Sequence, residues 1–257
     1  ARWGDARPSG RRLLGGAATA LAVALGGNFL ESTSALLGLA PQNARSSRLD
    51  VLYPVSGYLR CYRPDIGVEF IYPRDWAADQ TLAQRAQRRA ELTRGLDPPS
   101  AAAARQAARA AAEPQVAYGP IGSTGEENVS VLATGAPPGF TSVRQLVAAD
   151  NSTQPPARRE AEFLLSKTIA PEGSGKEAVL LDAFEQVDAA GRPYFVVEYT
   201  VKRPGVFFRH NYAVFCVANG RLYTLNAQVA EPEWDAQAEK LKTAARSFRV
   251  LGVPPTL

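Results

Sequence analysis

An α+β fold, with an antiparallel sheet and helices laid against it, is what this sequence predicts. Three observations carry that expectation. Four segments rich in β-branched and aromatic residues, EAVLLDAFEQVD, RPYFVVEYTVKR, VFFRHNYAVFCVA and RLYTLNAQV, follow one another as a meander. Their links are short: Ala189-Ala190-Gly191, Pro204-Gly205 and Asn219-Gly220, the last being the dipeptide most diagnostic of a two-residue hairpin turn. Helical patterns stand after the second strand, in the middle and at the end, which is the element order of an α+β domain.

The elements follow in chain order. Residues 1–45 open with a basic region ending in Arg11-Arg12, then the mildly apolar LLGGAATALAVALGG, then small-residue sites ending at Ala35 and Ala40. That order predicts a cleaved export signal, and the paired arginines favour the twin-arginine route. The apolar core, residues 13–27, is shorter than the ~20 residues that cross a bilayer and carries four glycines, which argues against a stable membrane anchor. The chain opens with Ala1 and contains no methionine, so a truncated or processed N-terminus is expected.

SGYLRCYR and IGVEFIYP predict a hairpin around Pro64-Asp65, with Val68, Phe70 and Tyr72 alternating and Pro73 and the following RDW ending it. Residues 79–94 carry helix formers, with Leu82, Ala86, Ala90 and Leu92 as a weak apolar stripe, stopped by Gly95 and Asp97-Pro98-Pro99. The Ala- and Arg-rich residues 101–114 have helix propensity but no large side chain to bury, so 77–114 reads as a helical or mobile insert outside the core. Arg85, Arg88, Arg89 and Arg94 fall on successive turns of it and suit an acidic protein surface, or simply a solvated helix face. VAYGP and NVSVLATG resume the sheet. PPGFTSVRQLVAAD predicts a helix capped by Thr141 or Ser142 with Val143, Leu146 and Val147 buried, and REAEFLLSKT a second. The closing PEWDAQAEKLKTAARSFRVL places Trp234, Ala238, Leu241 and Ala245 on one helix face.

Charge removes one class of function. The chain of 257 residues has 29 basic and 25 acidic residues, a net +4, and beyond residue 44 only +2 remains. A near-neutral body lacks the clustered basic face that nucleic acid requires. Catalytic motifs are also missing: one histidine forbids HExxH, there is no GxSxG or CxxC, and GPIGSTGEE has neither dinucleotide nor phosphate-loop spacing. A hydrolase with an unrecognised triad is the remaining enzymatic alternative.

The one histidine, His210, lies in FFRHNYAVFC. Strand parity puts it on one face with Phe208, Tyr212 and Val214, and Phe207, Arg209, Asn211, Ala213 and Phe215 on the other. Taken alone it reads as a strand histidine at a sheet face or edge, hydrogen-bonded to a neighbour. Cys61 and Cys216 lie on two expected strands; they form a disulfide if those strands pair, and otherwise remain separate buried thiols.

The run RPYFVVEYTVKR, RHNYAVFCVANGRLYTLNAQ, EW and AEKLKTAARSF resembles the PsbP family of thylakoid-lumen proteins, and GVEFIYPRDW, NVSVLATG and FTSVRQLV agree with its first half. The resemblance spans roughly Tyr58 to Val250 and rests on order and spacing. It implies a PsbP/Mog-like α/β/α sandwich with a central antiparallel sheet over residues 46–257, preceded by a lumen-targeting signal in a plant or algal chloroplast. It implies a non-enzymatic protein peripheral to the thylakoid membrane, extrinsic to photosystem II and supporting its oxygen-evolving complex, with photosystem II or photosystem I lumenal subunits as partners and no required cofactor. Divalent metal binding in the family is attributed to the strand histidine and an acid before the Trp, which here fall on His210 and Glu231. Glu in place of the family's Asp changes the reach by one methylene, and a weak, open Ca²⁺ or Mn²⁺ site is the most such a pair supplies. The founding member's N-terminal docking segment has no counterpart between Ser46 and Gly57, and the insert is instead like that of PsbP-domain paralogues, some of which assist photosystem I assembly. A metal-handling lumenal module is the rival reading.

Overall fold

The computed structural model describes residues 26–82, 84, 113–122, 125–147 and 152–252. The chain falls into two compact units, Ala1–Arg60 and Cys61–Leu257. In the first, helices α1 (Ser32–Leu39) and α2 (Pro41–Ser46) are joined by a short break. Pro41 sits in the first turn of α2, where its missing N–H leaves no hydrogen bond unmade. The Asn28 side chain accepts from the Ser34 N–H and donates to its hydroxyl, both at 2.9 Å. Arg60 is buried against Asp50, 2.9 Å away, and donates to the Arg45 carbonyl at 2.9 Å. Leu30, Leu36, Leu39 and Leu52 are exposed. Of the expected signal, residues 1–25 lie outside the described residues, and no helix among the described residues is long and apolar enough to cross a membrane.

The second unit is built on a seven-stranded antiparallel sheet. Its strands are β3 (Trp76–Ala78), β4 (Val116–Pro120), β5 (Asn128–Gly135), β6 (Glu177–Val187), β7 (Pro193–Arg203), β8 (Phe207–Ala218) and β9 (Arg221–Ala230), in the order β3-β4-β5-β9-β8-β7-β6. The four meander strands pair as sequence neighbours, β6 with β7, β7 with β8 and β8 with β9. At the last turn Asn219 and Gly220 take φ of 53° and 68°, the two left-handed residues of a type I′ hairpin, and Ala218 pairs with Arg221. A smaller sheet orders β1 (Tyr58–Arg63), β2 (Val68–Pro73) and β10 (Arg249–Val250) as β1-β2-β10.

Two strands depart from expectation. The opening hairpin ends at Pro73 as expected, but Trp76, 5% exposed, then starts an unexpected strand, β3, which pairs antiparallel with β4 in the larger sheet. The closing RV, expected at the helix end, extends as β10 and pairs with β2 through Arg249–Glu69 and Val250–Val68. Both strands are too short for periodicity to reveal; pairing partners define them.

The helix expected after PPGF is a 3₁₀ turn, Val143–Leu146. Ser142 accepts from the Arg144 N–H, and the Gln145 side chain accepts from the Ser142 N–H, so a capping box fixes its start. Helix α3 (Pro156–Leu164) continues into a π-turn, Leu165–Ile169, and α4 (Trp234–Arg246) closes the chain. One sheet face packs on α4 and the small sheet: Val68, Phe70, Tyr212, Val214, Leu225, Leu241 and Phe248 are all at most 1% exposed in a common cluster. The opposite face packs on α3 through Ala161, Leu165, Val197, Tyr199 and Ala213. Helices thus lie against both faces, the α/β/α arrangement. Most of the predicted insert, and with it Arg85, Arg88, Arg89 and Arg94, lies outside the described residues.

Cys61 and Cys216 are free thiols, not a disulfide; both are buried in the α4-side cluster. Burial pushes the Cys216 thiol up to about 12 and raises that of Cys61. Apolar surroundings disfavour the thiolate and keep both unreactive.

Candidate functional site

His210 is 3% exposed and sits under the N-terminal end of α4. The strand parity read from the sequence holds: His210, Tyr212 and Val214 face the α4 side, Ala213 and Phe215 the other. The expected position at a sheet face is correct, but that face is covered. The imidazole stacks on the Trp234 indole, centroids 3.5 Å apart and planes 7° apart. Chain geometry explains the meeting. β9 runs antiparallel to β8 with Val229 opposite His210, and Ala230 leads directly into a 3₁₀ turn, Glu231–Glu233, and then α4. Glu231 and Trp234 are three residues apart on this helical path and reach the same ring from one element.

Both ring nitrogens meet carboxylates. Nδ1 is 2.8 Å from Glu231 Oε2, and Nε2 is 3.0 Å from Glu198 Oε1. A neutral imidazole has one N–H, so both contacts are complete hydrogen bonds between ring donors and carboxylates only with hydrogen on each nitrogen. Glu198 lies on β7 two residues from Thr200, the direct partner of His210, which makes it the diagonal cross-strand neighbour. Its other oxygen is 2.9 Å from Lys242 Nζ. Lys242 in turn lies over the Trp234 ring at 5.3 Å and the Tyr212 ring at 5.5 Å. Arg246 donates from Nε to the Tyr212 hydroxyl at 3.3 Å.

The family resemblance paired His210 with Glu231, and the structure sets them 2.8 Å apart. The sequence did not reveal Glu198 or Lys242. The signal for Glu198 was present as one carboxylate in the apolar strand FVVEYTV, sharing strand parity with Tyr194, Val196 and Thr200. Register was needed to set it beside His210.

As a metal centre this arrangement offers at most one carboxylate to each ring nitrogen. The two acids approach opposite nitrogens of one ring, so a single ion bound at one nitrogen has one of them, not both, within reach. Among the described residues no group of three or more His, Cys, Asp or Glu side chains is arranged to hold an ion. A groove of about 720 Å³ lies at the β3–β4–β5 end, lined by Asp79, Thr81, Ala117, Asn128 and Gln228 among others, and does not include His210. The histidine site is a closed polar network in an aromatic setting, able to hold α4 and Glu231 rigidly against β7 and β8.

Comparison with known proteins places this architecture. A model of the PsbP family matches residues 59–250. PsbP domain-containing protein 7, chloroplastic, of Arabidopsis thaliana is 39% identical over 246 residues, covering 94% of this chain and 82% of that protein. CyanoP of Synechocystis is 29% identical over 126 residues, covering 49% of this chain and 61% of that one. The solution structure of CyanoP superposes with a TM-score of 0.50 at 21% identity, covering 76% of this chain and 94% of that chain, a likeness of fold. Sequence order, sheet topology and family match agree over the same span, and the chain belongs to the PsbP family.

Proposed function

We propose that this protein is a non-enzymatic PsbP-domain protein of the chloroplast thylakoid lumen, extrinsic to the membrane. It supports the oxygen-evolving complex of photosystem II or the assembly of a photosystem by surface contact with lumenal subunits. The observation that carries the reading is the relative described as chloroplastic that is 39% identical across 94% of this chain. The site chemistry supports it: His210 is 3% exposed and each ring nitrogen stands against a carboxylate, so neither faces a substrate. Affinity isolation of the tagged protein from solubilised thylakoids tests the proposal. Photosystem subunits are the expected co-purifying proteins, and recovery of stromal proteins alone overturns both address and role.

A second reading rests on the 2.8 Å approach of Glu231 to His210 Nδ1. An N,O pair at this spacing binds Mn²⁺ or Ca²⁺ weakly if the hydrogen bond opens and water completes the shell. Calorimetry with Mn²⁺ separates the two. Saturable heat that disappears in His210→Ala supports metal handling, and its absence removes that reading.

A further inference from the structure

Strand β6 ends the seven-stranded sheet, and among the described residues no strand pairs with its outer edge. It is long for an edge, 11 residues, Glu177–Val187. Edge strands are blunted by charged side chains, above all lysine, by proline, by a bulge or by a covering element. Here the segment 177–191 holds neither Lys, Arg nor Pro, and its one irregularity is a register shift between Leu180 and Asp182 that leaves Leu181 unpaired.

Its inner face is occupied: Ala178, Leu180 and Ala183 pack with α3. The other face is not. Val179 is 55% exposed and Phe184 36%, and Leu181, in the bulge, is 47% exposed. This open face continues the row that holds the histidine, because Val179 pairs with Thr200, which pairs with His210. Asp182 pairs with Glu198, which pairs with Tyr212. The helix layer that covers His210 therefore stops short of the edge and leaves apolar surface beside it, with Phe208, 41% exposed, at its margin.

Charge selects the occupant. All ionisable residues of 177–191 are acidic: Glu177, Asp182, Glu185 and Asp188. Two of these are answered within the fold, Glu185 by Arg144 and Asp188 by the turn it caps, and Lys202 stands opposite Glu177. Among the described residues Asp182 bonds only the Ala183 N–H that follows it, at 2.8 Å, so its charge is left to a partner. Pairing β6 with β6 of a second copy would bring like-charged acids together, which disfavours a homodimer.

We infer that β6 is a docking edge for an extended segment of a partner protein that presents an apolar, a basic and an apolar side chain at positions i, i+2 and i+4, on one face of the strand. The segment adds as an eighth strand: backbone hydrogen bonds supply affinity, and a basic residue beside Asp182 and apolar ones beside Val179 and Phe184 supply selectivity. The inference is independent of the photosystem reading, because its test needs only the isolated chain.

The probe is a fluorescein-labelled peptide of about nine residues with Val-Thr-Lys-Thr-Val at its centre, sized to the strand, with a Val/Glu peptide, Glu in place of that Lys, as control. Fluorescence anisotropy with the full chain should show saturable binding of the Lys peptide, and hydrogen exchange should slow in residues 177–187. Asp182→Lys should weaken that peptide about tenfold and improve the Val/Glu peptide, and the milder Asp182→Asn should fall between them. Equal binding of both peptides, binding without protection of β6, or self-association of the unliganded chain through this edge would each overturn the inference.

Discussion

The imidazole of His210 lies flat on the indole of Trp234, 3.5 Å between centroids, while Glu231, three residues before that indole, holds Nδ1 at 2.8 Å. One turn of chain thus clamps both the face and the edge of the same ring. The clamp closes α4 onto β8, and the helix then buries Leu241, Ala244 and Ala245 completely.

Replacing the ring should loosen this closure. His210→Ala removes a stacked, doubly hydrogen-bonded side chain and leaves two carboxylates facing a gap, so a loss of about 2–4 kcal/mol is expected. Urea unfolding followed by Trp fluorescence measures it. A change within about 0.5 kcal/mol would show that the stack contributes little.

The two acids should not be equivalent. Glu198 has 13% of its side chain exposed and bridges His210 to Lys242, whereas Glu231 has 28% exposed and, among the described residues, meets His210 alone. Glu198→Ala leaves the Lys242 ammonium and the His210 Nε2 without their carboxylate and is expected to cost about 2–3 kcal/mol, Glu231→Ala about 1. A double-mutant cycle between His210 and Glu198 should give a coupling of about 1 kcal/mol or more; additive effects would show the contact to be idle.

Asp188 gives the fold a pH dependence. Burial pushes its carboxyl up, but N–H donors of Arg192 and Ala190, each at 2.9 Å, and the Tyr194 hydroxyl at 3.1 Å outweigh that and hold it below the usual range. A carboxylate depressed on folding contributes stability that is full above its unfolded value, near pH 4, and is lost as pH falls through its folded value. Wild type should therefore exceed Asp188→Asn in stability at neutral pH and converge with it in acid, read from urea midpoints across pH. A constant difference down to strong acid contradicts this.

Both thiols should be silent in the native state. Cys61 and Cys216 are 3% and 0% exposed, and burial raises both. A thiol-reactive dye should label neither in the folded chain and both after denaturation without reductant. Labelling that requires reductant would mean a disulfide.

Gly67 should tolerate no side chain. Its φ is +84°, and a Cβ there would stand 3.1 Å from the Tyr223 hydroxyl oxygen, so backbone strain and crowding act together. Gly67→Ala is expected to cost about 2 kcal/mol, against about 1 for Gly220→Ala, whose φ is +68° but which has open space. Equal melting temperatures for the two variants would remove the contribution of Tyr223.

Some of this was legible because it is local. Alternation of apolar residues located β1, β2 and β4 to β9, the Asn219-Gly220 turn set the last hairpin, and a 3.6-residue stripe located α4, since each depends on residues a few positions apart. Strand parity also put His210 on one face with Tyr212. The strands β3 and β10 were not legible: three and two residues carry no period, and partners distant in sequence decide them.

Sequence by itself determined the order of elements, the meander, the sided strand that carries His210 and the proximity of Glu231 to Trp234. Tertiary structure alone decided that His210 is roofed by Trp234, that Glu198 and Lys242 complete its network, that the cysteines stay apart as thiols and that β6 keeps an open edge. The reason is that periodicity fixes which way a side chain points, whereas register and helix placement fix what it meets, and those are set by burial summed over the whole sheet.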